Sequence, residues 1–225
     1  MNNEEIKFIA TPEKGEVSAL LMRPAEATHL LVLGHGAGAD MRHASMQKIA
    51  EALAEQRIAT FRYNFPFKEN GRGGVDSPKV ATATVRSAVA EAGRLEPKLT
   101  LLAGGHSFGG RMTTTAQSQE PRGGVKGLVL FSFPLHAPNR PDYSRAAHLS
   151  SIKIPMLFLS GTRDALNDLD LFRPVIQKLG GHATLHTIDT ADHSYKVLKR
   201  TRVSDEDVFA EMARTTTDWI TSNKI

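Results

Sequence analysis

Three residues far apart in the chain have the types needed to make a hydroxyl nucleophilic: a serine, a histidine and an aspartate. Gly105-His106-Ser107-Phe108-Gly109 is a G-x-S-x-G segment, set directly after the apolar run Leu99–Ala103 and before Arg111–Gln119, which can be helical. A strand that turns so sharply into a helix forces its serine into strained backbone geometry. Glycines two positions either side remove the β-carbons that would clash there. Such a turn lifts the Ser107 hydroxyl above the C-terminal edge of a sheet, at a helix N-terminus whose free N–H groups favour developing negative charge. A serine hydroxyl needs a base to take its proton. His193, in Thr190-Ala191-Asp192-His193-Ser194, follows the expected last strand Ala183–Ile188 and is the candidate base. That base needs a carboxylate to fix its tautomer and balance its charge. Asp164, in Ser160-Gly161-Thr162-Arg163-Asp164, follows the apolar run Met156–Leu159 and is the candidate acid. Asp168 and Asp192 are the rivals, and Asp192 ranks lower because neighbouring side chains tend to diverge.

An acyl-transfer intermediate also carries an oxyanion, which needs at least two donors. The backbone N–H of Phe108, directly after the serine, is one candidate. The second is expected from Gly34-His35-Gly36-Ala37-Gly38-Ala39-Asp40, the loop after the run Leu30–Leu33, with the Ala37 N–H as the chosen donor. His35 is expected to bond the loop rather than to act as a second base. The loop lacks the Lys-Ser/Thr ending of a phosphate-binding loop and the G-x-G-x-x-G spacing, which argues against a nucleotide site.

The elements that must bring these groups together follow a regular rhythm. Two strands, Glu4–Ala10 and Val17–Arg23, flank a hairpin-like connection at Thr11-Pro12-Glu13-Lys14-Gly15. Four almost unbroken apolar runs then recur at Leu30–Leu33, Leu99–Ala103, Leu128–Phe131 and Met156–Leu159, with a less pure strand at Ile58–Tyr63. Runs without polar alternation suit strands buried on both faces of a parallel sheet. Between them lie helix-period stripes: Met46, Ile49, Ala50 and Leu53; then Ala81 to Ala92, opened by Ser77 as cap and Pro78. A third stripe, Phe172 to Leu179, is stopped by Gly180-Gly181, and its helix is expected to begin near Pro174. The last opens after the acidic Ser204-Asp205-Glu206-Asp207, with Phe209, Met212, Ala213, Thr216 and Ile220 on one face. Strands alternating with helices predict an α/β fold with one doubly wound sheet, and residues 1–225 read as a single domain.

Composition narrows the functional classes. The chain has 225 residues, 40% hydrophobic and 23% charged, ordinary values for a soluble globular protein. It has no cysteine, which rules out a disulfide framework, a thiolate metal site and a cysteine nucleophile. The net charge of +4 is small and aromatics are only 6%, so a nucleic-acid interface is not expected. The first residues carry acidic groups where a signal peptide needs basic ones, and no run approaches the roughly 18 apolar residues of a membrane span. The expectation is a cytoplasmic protein without metal or organic cofactor.

The segments GGHSFGG, GHGAGAD, SGTRD and ADHS resemble, in content and order, those of the α/β-hydrolase superfamily, and the resemblance covers nearly the whole chain. Within it the chain is similar to small uncapped members related to dienelactone hydrolase. It is especially similar to the branch holding testis-expressed α/β-hydrolase-like proteins and the hydrolase-like domain of a chromatin acetyltransferase complex subunit. Arg62-Tyr63-Asn64-Phe65-Pro66-Phe67 followed by Gly71 is similar to a segment of that branch. The resemblance implies an eight-stranded, mostly parallel, three-layer sheet and carries the roles above onto Ser107, Asp164, His193, Ala37 and Phe108. Two departures matter. Dienelactone hydrolase uses a cysteine where this chain has Ser107, so its substrate is not carried over. Pro134–Ile154 is also too short for the helical lid that lipase-like members insert there, which predicts an open site.

The resulting expectation is a serine-dependent carboxylesterase or acyl thioesterase that acts on a small acyl substrate. The alternative is a non-catalytic module that keeps the fold for protein binding. Arg42, Lys68, Arg72, Arg111, Arg163 and Lys196 fall in or near loops of the catalytic edge, which suggests either an anionic substrate or ordinary solvated charge.

Overall fold

The computed structural model describes residues 3–121 and 124–225. Eight strands form one sheet: β1 (Asn3–Thr11), β2 (Gly15–Met22), β3 (His29–Gly34), β4 (Ile58–Tyr63), β5 (Thr100–His106), β6 (Val125–Phe131), β7 (Met156–Gly161) and β8 (Ala183–Ile188). Their spatial order is β1-β2-β4-β3-β5-β6-β7-β8. Only β2 runs against its neighbours, pairing antiparallel with β1 and β4, and all other pairs are parallel. This is the mostly parallel sheet that the unbroken apolar runs require.

Helices α1 (Ala44–Glu55), α2 (Pro66–Glu69), α3 (Pro78–Leu95), α4 (Phe108–Gln119), α5 (Leu169–Leu179) and α6 (Val208–Ser222) connect or follow the strands. The strand period of two divides the core between the two faces. On β3, Leu30 and Val32 join Ala81, Val85, Phe108 and Met112 on the face of α3 and α4. Leu31 and Leu33 join Met46, Ile49, Leu53, Met212 and Ile220 under α1 and α6. The helices therefore form the two outer layers.

Of two helix starts read from the sequence, one holds and one is revised. α3 starts as predicted, with Ser77 Oγ accepting from the Val80 N–H and Pro78 at the first helical position. α5, however, begins at Leu169 and carries Pro174 inside it. Asp168 caps the helix through its carboxylate, which accepts from the Asp170 and Leu171 N–H groups. A local cap, together with the packing of Phe172 in the core, outweighs the one backbone bond that a proline removes.

β6 and β7 are joined without a cap. The connection holds an isolated bridge between Ala137 and Arg140 and a 3-10 segment, Ser144–Ser151. Among the described residues no helix is long and apolar enough to cross a membrane.

Register aligns the strand ends. Gly34 pairs with Tyr63 and Gly105, His106 with Phe131, Phe131 with Leu159, and Gly161 with Ile188. The loops after β3, β5, β7 and β8 consequently emerge along one rim. Those four loops carry every candidate site residue.

Candidate active site

Ser107 joins β5 to α4 with φ 50° and ψ −112°. This backbone conformation is unfavourable for a residue with a β-carbon. It is held by the Ser107 N–H donating to the Phe131 carbonyl (2.9 Å) and the Arg111 N–H donating to the Ser107 carbonyl (3.0 Å). The flanking glycines are required by contact: a β-carbon on Gly105 would lie 2.6 Å from the Gly34 carbonyl oxygen, and one on Gly109 would strike the same group.

The three side chains named from sequence meet at this turn. His193 Nε2 lies 2.8 Å from Ser107 Oγ, and His193 Nδ1 lies 2.9 and 2.8 Å from the two carboxylate oxygens of Asp164. An ionised carboxylate can only accept, so Nδ1 carries the proton and the neutral ring leaves Nε2 free to accept from the serine hydroxyl. The Asp164 side chain is fully buried and also accepts from the Leu166 N–H at 2.8 Å. The rivals serve elsewhere. Asp192 accepts from the Ser194 and Lys196 N–H groups to close its own turn, and Asp168 caps α5.

The turns bearing base and acid are stitched together. Arg163 N–H donates to the Ala191 carbonyl (2.9 Å), Thr190 N–H donates to Thr162 Oγ1 (2.9 Å), and the Tyr195 hydroxyl donates to the Leu159 carbonyl (2.8 Å). Burial pushes the Tyr195 hydroxyl well above the ordinary phenol range, so it remains a donor.

His35 has the loop-bonding role expected of it. Its Nε2 accepts from the Phe65 N–H at 3.1 Å, so its protonated Nδ1 donates to the Gly36 carbonyl at 2.8 Å. Burial lowers its pKa to about 4, which keeps it neutral in this arrangement. The Gly36 carbonyl also accepts from the Ala39 N–H at 3.1 Å. A planar trans peptide points its N–H opposite to its C=O. The Ala37 N–H is thereby turned away from the donors that hold the carbonyl. Ala37 is exposed, and Gly36 lies so close to the serine that an added β-carbon would be 3.6 Å from Ser107 Cβ. Phe108 is buried, its ring packed edge-on against Phe65 with centroids 5.1 Å apart.

Two features lie outside what motif and spacing revealed. One is the segment Arg62–Phe67, known from sequence only by its likeness to a branch. It clamps the loop after β3. Arg62 Nη1 approaches the Met41 carbonyl (3.4 Å) and donates to Gln47 Oε1 (2.7 Å), and Asn64 Oδ1 accepts from the Met41 N–H (2.9 Å). Phe65 and Phe67 pack their rings on His35. The other is His106, inside the motif but without an assigned role. Its Nε2–H donates to the His193 carbonyl at 3.0 Å, and burial lowers its pKa to about 4.

The rim cations divide. Arg42 pairs with Glu5, Arg163 donates to the Thr190 carbonyl, and Lys68 sits over the Phe67 ring. Arg111 is half-buried in the first turn of α4.

Comparison with known proteins agrees with this architecture. Residues 27–221 match a family model described as "Alpha/beta hydrolase domain". The dienelactone hydrolase of Anabaena variabilis superposes with a TM-score of 0.74 at 16% identity, covering 99% of each chain. A Xanthomonas campestris protein described as a serine hydrolase without lid gives 0.72 at 17% identity, covering 99% of this chain and 95% of that one. Est1E from Butyrivibrio proteoclasticus gives 0.73 at 16% identity, covering 98% of both. At these identities the likeness is one of fold.

Proposed function

Because the chain belongs to the alpha/beta hydrolase domain family, we propose that it is a serine hydrolase that cleaves a carboxylic ester or thioester through an acyl-enzyme. One observation carries the reading: the unbroken relay from the Asp164 carboxylate through His193 to Ser107 Oγ, every link between 2.8 and 2.9 Å.

In this mechanism Ser107 Oγ attacks the substrate carbonyl as His193 Nε2 takes its proton, and buried Asp164 stabilises the imidazolium. The tetrahedral oxyanion is met by the N–H groups of Phe108 and Ala37, the two backbone donors of the site. Collapse expels the alcohol or thiol, which receives the proton from His193 and leaves the acyl group on Ser107. A water then loses its proton to His193, attacks the acyl carbonyl and releases the acid, restoring the serine. The reading takes residues 1–225 as one cytoplasmic domain with an open site for a small acyl substrate.

A fluorophosphonate probe tests it. The wild-type chain is expected to be labelled on Ser107 and to hydrolyse short aryl esters, while Ser107→Ala does neither. Absence of labelling in folded wild-type protein would instead favour a binding module that has kept the fold.

A further inference from the structure

Arg111 and Arg145 are neighbours below the rim that holds Ser107, and among the described residues neither forms an ion pair. Arg111 lies one turn into α4, its N–H bonded to the Ser107 carbonyl. Among the described residues its guanidinium makes no ion pair or hydrogen bond. Arg145 is half-buried at the start of the 3-10 segment, and its Nη1 donates to a neutral group, the His136 carbonyl, at 2.7 Å.

Topology puts the two side by side. α4 leaves the catalytic rim after β5 and runs toward the opposite one. The 3-10 segment lies between the end of β6 at the catalytic rim and the start of β7 at the other, so it runs the same way. The two are clasped by His148 Nε2 and Thr114 Oγ1, 2.8 Å apart. Arg111 precedes Thr114 by three residues and Arg145 precedes His148 by three, about one turn in each element. Both arginines thus lie between this clasp and the rim that holds Ser107.

Burial and the neighbouring Arg145 make the Arg111 guanidinium a stronger acid than usual, as expected for like charges held close. The acid nearest Arg145 in sequence, Asp142, feels the Arg145 charge but is exposed and forms no ion pair with it; its carboxylate accepts from the Ser144 N–H and Oγ. Two half-buried cations that lack an ion-pair partner among the described residues are unfavourable in the free protein, and an anion placed between them relieves both.

We propose that Arg111 and Arg145 form an anion subsite that selects substrates carrying a carboxylate or phosphate a few bonds from the scissile carbonyl. The proposal rests on the reading of Ser107 as nucleophile and adds the substrate class. Four residues of helix separate Arg111 from Ser107, a rise of about 6 Å. That distance suits the far carboxylate of a short dicarboxylic half-ester, or a phosphate on the leaving group. Paired planar guanidiniums bind either oxyanion.

The test compares matched substrates on wild type, Arg111→Gln and Arg145→Gln. One pair is the aryl half-ester of glutaric acid and its methyl-capped neutral analogue. The other is an acetyl thioester of a phosphate-bearing thiol and of the same thiol without phosphate. Wild type is expected to favour one charged member roughly tenfold or more in kcat/KM, through KM. The preference should hold from pH 6 to 9, because guanidiniums stay charged, and fall toward unity in both variants. The responding pair identifies which part of the substrate bears the anion. Equal rates within both pairs for wild type, or an unchanged preference in folded Arg111→Gln, overturns the subsite while leaving the hydrolase reading intact. If neither ester pair is cleaved and the fluorophosphonate probe fails, the hydrolase reading is what fails. Calorimetry of glutarate and inorganic phosphate with Ser107→Ala protein then decides the subsite alone. Saturable binding weakened by Arg145→Gln supports it, and no binding rejects it.

Discussion

The imidazole of His106 donates its Nε2–H to the backbone carbonyl of His193 at 3.0 Å, with the two rings 5.3 Å apart. The residue just before the nucleophile therefore holds the loop that delivers the base. The other ring nitrogen faces the loop after β3, where a β-carbon on Gly36 would come within 3.0 Å of His106 Nδ1. One neutral, buried ring thus spaces three loops of the rim.

His106→Ala is expected to lower kcat roughly tenfold to a hundredfold with little change in KM, because small displacements of a base cost reactivity rather than binding. Gln can extend an N–H donor toward the same carbonyl, so His106→Gln should recover part of the loss. Equal kcat values for the two variants would remove the hydrogen bond from the explanation. Steady-state kinetics on one aryl ester suffices.

Ser107→Ala should reduce turnover on the order of 10⁴-fold and leave the fold intact. Ser107→Gly should be equally inactive yet more stable than the alanine variant by about 1 kcal/mol. Glycine accepts the φ of 50° that a β-carbon resists. Denaturant titration of the two inactive proteins makes the comparison without interference from activity.

Asn64→Ala removes the acceptor for the Met41 N–H and a partner of Glu69. The expected cost is about 1–3 kcal/mol for leaving a partly buried donor unpaired. A slower acylation should accompany it, since the clamped loop carries Ala37. A thermal midpoint lowered by several degrees together with an undiminished burst rate would separate the clamp from catalysis.

Stability should fall as pH drops from about 6.5 toward 4. His35 and His106, both lowered to about 4 by burial, stay neutral in the folded protein while the unfolded chain takes up their protons. The unfolded state binds more protons throughout this window, so the sign is destabilisation by acid, at most about 1.4 kcal/mol per pH unit for each ring. His106→Gln should make the midpoint-versus-pH curve shallower below pH 6.5.

Much of this site could be read in the linear chain because its signals are local. Glycines at 105 and 109 around Ser107, apolar runs of strand length, and an aspartate and a histidine just past two of those runs are patterns of type and spacing. They identify strands buried on both faces and the rim on which loops must emerge. The start of α5 departs from the sequence expectation for an equally local reason. Pro174 is a strong marker when seen alone, but the carboxylate cap at Asp168 and the burial of Phe172 decide where the helix begins.

Sequence alone determined the fold class and named Ser107, Asp164 and His193 as candidates, because periodicity and strand-end position depend on neighbours along the chain. Only the tertiary structure decided that Asp164, not Asp168 or Asp192, faces the imidazole, and that Asn64 and His106 hold the loops around it. Those bonds join groups 23 to 87 residues apart. Such pairings leave no period in the sequence; they exist once the sheet register has set which strand ends lie side by side.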